Sequence, residues 1–136
     1  MKPIFVLALW MMTSNLLCQN TQENLNCKAL VKSIEHPDFD TRFHFSEFIN
    51  ESFIVVDTNH YFKNCESITV MGRKVIISEK WIPEKNKNTV VVARGEKNNV
   101  SFTLGFMSRL TGGSVTIDFE IKGNDIELIK TKTGDF

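Results

Sequence analysis

Three groups of residues in this chain have the types and spacing to do chemistry. The first is His36, Asp38 and Asp40. Two carboxylates and an imidazole alternating through a turn are suitable donors for a divalent cation. The same residues read more simply as a turn whose carboxylates accept from nearby backbone N–H groups, with His36 as the C-terminal charge of a helix. No metal and no cofactor is assigned to them. The second group is Asp57, Asn59 and His60, which follow an apolar run. Functional side chains gather at strand ends, and histidine titrates near neutrality. A small hydrolase or isomerase would need His60, or His44, within hydrogen-bond reach of a carboxylate in a pocket. The competing reading is a polar turn between two strands.

The third group is Tyr61, Trp81, Arg94 and Arg109. Aromatic and arginine side chains are the usual anchors of binding surfaces. In the plainer reading Trp81 covers the end of the core and the arginines are solvated charges. The chain holds 11 phenylalanines against one tyrosine, and this favours core over binding rim, because phenylalanine has no polar handle. Asp57, His60, Trp81 and Arg94 are therefore the candidates for ligand contact, and no catalytic residue is assigned. Phosphate-wrapping glycine loops, a His-Glu-x-x-His helix, a Cys-x-x-Cys pair and a Gly-x-Ser-x-Gly elbow are all missing. That argues against the common enzyme classes that carry them.

The beginning of the chain bears on where this chemistry would operate. Met1-Lys-Pro3 is a short basic start, Ile4 to Met12 is apolar, and Thr13 to Cys18 is a more polar exit. This is the layout of a secretory signal peptide, residues 1–18, cut before Gln19. A spanning helix would need about 20 apolar residues. The alternative is a lipoprotein anchored to a membrane through Cys18, although Leu17 stands where a small residue is usual. The domain then runs over 19–136 and is secreted or periplasmic. The whole chain has 16 basic and 16 acidic residues; losing Lys2 with the leader leaves one excess acid. A near-neutral surface is no footprint for nucleic acid. After Cys18 only Cys27 and Cys65 remain, and an even count in an exported chain predicts a Cys27–Cys65 disulfide rather than a Cys65 thiol working with His60 or His44. Asn50-Glu-Ser52 and Asn99-Val-Ser101 match the glycan-acceptor pattern, which matters only in a eukaryotic secretory route. The reading favoured here is a bacterial envelope protein.

The elements that must position these residues follow from periodicity. In Val100 to Phe106 and in Val115 to Ile121 every second residue is apolar, as in strands with one buried face. With Lys122-Gly-Asn-Asp125 as a tight turn into Ile126 to Lys130, the stretch Thr89–Lys132 reads as an antiparallel meander. Val100, Phe102, Leu104, Phe106, Val115, Ile117, Phe119, Ile121, Ile126 and Leu128 should line its core. Cys27, Leu30, Val31 and Ile34 fall on one helical stripe, predicting a helix from about Gln22, capped by Thr21 or Asn24, to Glu35 before Pro37. His36 to Thr41 reads as a loop, and Thr41 to Ile49 has an ambiguous period. Phe53 to Val56 reads as a buried strand. Ile68 to Val70 and Val75 to Ser78 form a hairpin about Met71-Gly72. Glu84 to Asn88 reads as a charged loop.

The sum predicts an α+β fold, with an N-terminal helix packed on a curved antiparallel sheet of about six or seven strands. A roll of the cystatin-like or nuclear-transport-factor-like type fits that element order; a small β-sandwich or barrel with a helical lid is the alternative. The expected function is a non-catalytic binding or structural role in the cell envelope or extracellular space. The partner would be another protein there or a small apolar ligand held between helix and sheet. The alternative is the small hydrolase or isomerase with its site in the sheet's concavity.

Overall fold

A computed structural model of the chain describes residues 25–65, 68–81 and 88–135. The expected leader 1–18, the start and caps of the first helix, and residues 84–87 of the expected charged loop lie outside the described residues. Helix α1 covers 25–35 among them, and α2 is Pro37–Phe43. The strands are β1 Phe53–Val56, β2 Ile68–Val70, β3 Arg73–Ser78, β4 Thr89–Lys97, β5 Ser101–Met107, β6 Gly113–Lys122 and β7 Asp125–Asp135. They form one curled sheet, a half-barrel, in the order β2-β3-β1-β4-β5-β6-β7.

The meander is where periodicity placed it. Strands β4 to β7 pair consecutively and antiparallel, with Leu104 opposite Ile117 and Phe102 opposite Phe119. Alternation turns Phe102, Leu104, Phe106, Val115, Ile117 and Phe119 inward, where all are buried. Two-residue loops join β2 to β3 and β6 to β7. Met71 and Gly72 both have positive φ, 49° and 78°, as the primed hairpin turns require, and Gly123 has φ 62°.

Three expectations are corrected. Val100 is 66% exposed instead of lining the core. It lies in the turn, where Asn98 Oδ1 accepts from the N–H groups of Val100 and Ser101, so the alternation starts one residue later. The segment His36–Thr41 is not a loop, because Pro37 opens α2. The φ of proline suits a first helical residue, and His36 Nδ1 accepts from the Asp38 N–H as the cap. Phe39 and Phe43, four residues apart, supply the buried face. The third correction concerns the sheet, which is mixed rather than antiparallel. Strand β1 lies between β3 and β4 and is parallel to both, with Val55 beside Ile77 and Val90. Phe53, Val55 and Val56 are fully buried, and an all-apolar run buried on both faces is what a parallel strand looks like.

The core is rich in buried rings. Phe39, Phe45, Phe53, Phe62, Phe102, Phe106 and Phe119 are all less than 2% exposed. Phe39 meets Phe43, Phe53 and Phe106 edge-on, with centroids 4.8, 5.8 and 5.4 Å away. Leu25, Ala29, Leu30 and Ile34 of α1 join the same cluster. Each large side chain buried this way contributes about 1.5–3 kcal/mol of transfer free energy.

Candidate functional site

Strand β1 delivers Asp57 to its end, and everything nearby is arranged around that carboxylate. Asp57 is fully buried. Its N–H donates to the Ser78 carbonyl at 2.8 Å, which ties the end of β1 to β3. Its Oδ1 accepts from the Tyr61 N–H at 3.2 Å and its Oδ2 from the Phe62 N–H at 2.8 Å. Both oxygens are thus used to hold the turn 58–64, as short acidic side chains do at chain reversals. Asp57 is buried and caps that turn with both carboxylate oxygens.

The turn that Asp57 holds forms one wall of a cleft of about 190 Å³, lined by Asn26, His60, Tyr61, Lys63, Asn64 and Cys65. Asn26 of α1 donates from Nδ2 to the Tyr61 carbonyl at 2.8 Å, and its Oδ1 accepts from Lys97 Nζ at 2.9 Å. Burial pushes the Lys97 ammonium below its ordinary value. The Tyr61 hydroxyl donates to the Gly95 carbonyl at 3.0 Å. Its ring lies so close to Gly95 that a Cβ there would fall 2.3 Å from Cζ, so only glycine admits it. Cys65 lies at disulfide distance from Cys27, with Cα atoms 5.5 Å apart, within the range that a bridge requires. The pair joins α1 to the segment before β2. The cleft wall is made of amides, a lysine and an imidazole, which suits binding of a polar group.

Among the described residues, the carboxylates nearest His44 and His60 stand at exposed positions, and Glu79 is not one of the residues lining the cleft. His60, held at φ 59°, is 53% exposed and stands 3.5 Å from Glu79 on the surface. His44 lies 3.0 Å from Glu47, three residues on, and both are exposed by two-fifths or more. Neither histidine belongs to the buried phenylalanine cluster of the core. His36, Asp38 and Asp40 are dispersed to separate tasks. His36 caps α2, Asp38 accepts from the Thr131 hydroxyl, and Asp40 accepts from the Ser46 N–H and hydroxyl. No group of three metal-ligating side chains is gathered among the described residues.

Trp81 does not cover the core: it is 51% exposed, with the Arg109 guanidinium 5.5 Å from its ring. Arg94 pairs with Glu96 at 3.0 Å on the exposed face. That hydrogen bond raises the guanidinium's proton affinity and lowers that of the carboxyl.

The most consequential polar residue is one the sequence did not single out. Arg73, the first residue of β3, is 1% exposed. Nε donates to the Glu51 carbonyl at 2.8 Å, one terminal nitrogen to the Phe45 carbonyl at 2.6 Å, and the other to Asn88 Oδ1 at 2.7 Å. The guanidinium lies 5.1 Å from the Phe45 ring centroid and 5.0 Å from that of Phe53. Asn88 Nδ2 donates in turn to the Glu51 carboxylate. Burial lowers the Arg73 proton affinity, and the nearby Glu51 charge opposes that shift. A signal was there. Arg73 is in phase with Val75 and Ile77, so alternation already turned it inward. The buried Asn88 likewise departs from the charged loop expected there.

No helix among the described residues is long and apolar enough to cross a membrane. No protein-family model matches the chain, and neither does any curated protein or solved structure.

Proposed function

We propose that this chain is an exported domain of the cell envelope or extracellular space that works by binding another protein and carries out no reaction itself. The observation that carries the reading is how its chemically capable residues are employed. Asp57, Asp40 and Arg73 are engaged with backbone groups, and His44 and His60 pair with surface carboxylates. Side chains spent on holding the backbone are ordinary in a scaffold that acts through its surface. Burial of seven phenylalanine rings in one core cluster with the residues of α1 favours a protein partner over a small apolar ligand between helix and sheet. The Cys27–Cys65 pair supports an oxidising compartment. The lining of the Asn26–His60–Lys63 cleft gives a partner polar contacts beside the bridge.

Two measurements test this. The first is the intact mass of the protein from its native source, alkylated with and without prior reduction. The expected mass begins at Gln19 and gains two alkyl groups only after reduction. A mass beginning at Cys18 and carrying acyl chains would relocate the domain to a membrane surface, and a chain beginning at Met1 with free thiols would overturn export. The second is complementation of a deletion strain by the variant His44→Gln, at a histidine that does not line that cleft. Full rescue is expected. Loss of rescue by a folded variant would overturn the non-catalytic reading.

A further inference from the structure

Strand β7 is the longest in the sheet and stands at its edge, paired with β6 alone. An edge strand of 11 residues turns a row of backbone N–H and C=O groups away from its one neighbour and is a template for another strand. Over 125–132 its residues follow a definite order: Asp125 and Glu127 come first, half-buried Leu128 and exposed Ile129 stand in the middle, and Lys130 and Lys132 follow; beyond them Asp135 is paired with Arg42. Asp125 and Glu127 have side chains 69% and 59% exposed, and Ile129 is 60% exposed.

The order acid, acid, apolar, apolar, base, base is complementary to itself when reversed. We propose that β7 pairs antiparallel with β7 of a second copy, about a two-fold axis between Leu128 and Ile129. In that register Asp125 faces Lys132 of the second copy and Glu127 faces its Lys130, each pair occurring twice. Leu128 faces Ile129 across the axis and Ile126 faces Thr131. A shift of two residues either way leaves one acid–base match of the two, and parallel in-register pairing sets like charge beside like. A C2 contact of this kind is isologous and closed, so it ends at a dimer and does not propagate.

The register works because of an irregularity in β7. Glu127 and Lys130 are three apart, and in a regular strand they would point to opposite faces. Between Asp118 and Phe119 the β6–β7 ladder shifts. Phe119 pairs with Leu128 and Asp118 with Lys130, leaving Ile129 as the extra residue of a bulge. Lys130 and Lys132 therefore share the face of Asp118 and Thr116, which is also the face of Glu120 and its partner Glu127. Asp125, Glu127, Lys130 and Lys132 stand on one face only because the bulge is there, while Asp135 at the far end, opposite Gly113, falls on the other face. Two copies meeting at the axis carry the extra residue at the same place, so the bulge of one is matched by that of the other. Lysines and a bulge on an edge ordinarily discourage pairing. Here they discourage every strand whose charges do not run in the opposite order. The existing contacts of Glu127 with Lys122 and of Asp125 with Lys28 are exposed ion pairs that the added strand would share.

The inference goes beyond the proposed function and does not rest on it. It is tested by sedimentation of the full domain over a range of concentrations, with two charge variants. Lys130→Glu with Lys132→Glu makes the edge wholly acidic, and Asp125→Lys with Glu127→Lys makes it wholly basic. The wild type should be a concentration-dependent dimer. Each variant alone should dissociate about a hundredfold more readily, since four cross-strand pairs turn from attractive to repulsive. Mixed together, the two variants should form a one-to-one heterodimer. If the basic variant fails to fold, amide exchange of the wild type decides, because β7 amides should gain protection as concentration rises. A wild type that stays monomeric up to millimolar concentration would overturn the proposal. So would a dimer indifferent to the acidic variant, or β7 amides whose protection ignores concentration.

Discussion

Replacing Arg73 with methionine isolates what a buried guanidinium contributes here. The substitution keeps most of the aliphatic stem between Phe45 and Phe53 and removes the planar fork. Two backbone carbonyls, those of Phe45 and Glu51, lose their donor, as does Asn88 Oδ1. Hydrogen bonds from a charged donor contribute about 1.5–3 kcal/mol each, and contact with the rings adds about 1 kcal/mol. Relief from holding a charge out of water offsets several kcal/mol of that total, so the net loss should be about 3–5 kcal/mol. Against a domain stability of about 5–15 kcal/mol, that is a large fraction. Arg73→Lys should cost somewhat less, because one ammonium cannot reach three acceptors fixed in a fork. The assay is urea unfolding of the disulfide-intact protein, followed by Trp81 fluorescence and circular dichroism together. Asn88→Ala and the double variant complete a cycle, with an expected coupling of about 1 kcal/mol or more. If Arg73→Met unfolds within about 1 kcal/mol of wild type, the carbonyls have found other donors and the argument from buried acceptors fails.

Three further outcomes are expected. Replacing both Cys27 and Cys65 with serine should lower stability by about 4 kcal/mol, the loop-closure value for a separation of 38 residues, read from the same denaturation curves. Gly95→Ala should cost about 1–3 kcal/mol by driving a Cβ into the Tyr61 ring, and Tyr61→Leu in the same chain should recover part of it; equal thermal midpoints for Gly95→Ala and wild type would contradict the contact. The Glu127 carboxyl is held low by its bond to Lys122, Glu96 by Arg94, and Asp125 by the Ile126 N–H. A carboxyl held below its unfolded value stabilises the fold above that value and stops doing so as pH falls through the folded one. These three contributions are therefore constant at neutral pH and fade below the ordinary values of 4.5 and 3.8, seen as a urea midpoint that begins to drop there. Glu127→Gln should flatten part of that drop.

The meander, the hairpin at Met71-Gly72, the α1 stripe and the Cys27–Cys65 pairing were legible because each depends on short-range pattern or simple count. Strand order was not. Phe53 to Val56 announces a buried strand, but nothing within those four residues says that its partners lie 22 and 35 positions away. The second helix was legible in principle, through Pro37 at its start and acids in its first turn, and was hidden by the habit of reading proline as an end. Asp57, His60, Trp81 and Arg94 were named from residue type. Type alone could not reveal that Asp57 caps a turn and that Trp81 stands in solvent. Arg73 shows the reverse case: its phase along β3 pointed inward while its charge suggested otherwise.

The placing of β1 between β3 and β4 has a consequence for the order in which the chain assembles. Each antiparallel neighbour in the meander is reached through a loop of a few residues, so β4 to β7 close at little entropic cost. Strand β1 cannot take its seat until strands made later in the sequence exist on both sides of it, and contacts of that separation form slowly. We expect it to enter last, as a keystone enters an arch. On that view, shortening Val55 would hasten unfolding and leave the refolding rate unchanged; a slowed refolding limb would place β1 in the nucleus instead. A chain folding in that order would present its C-terminal meander as the first stable surface, with the earlier segments closing over it.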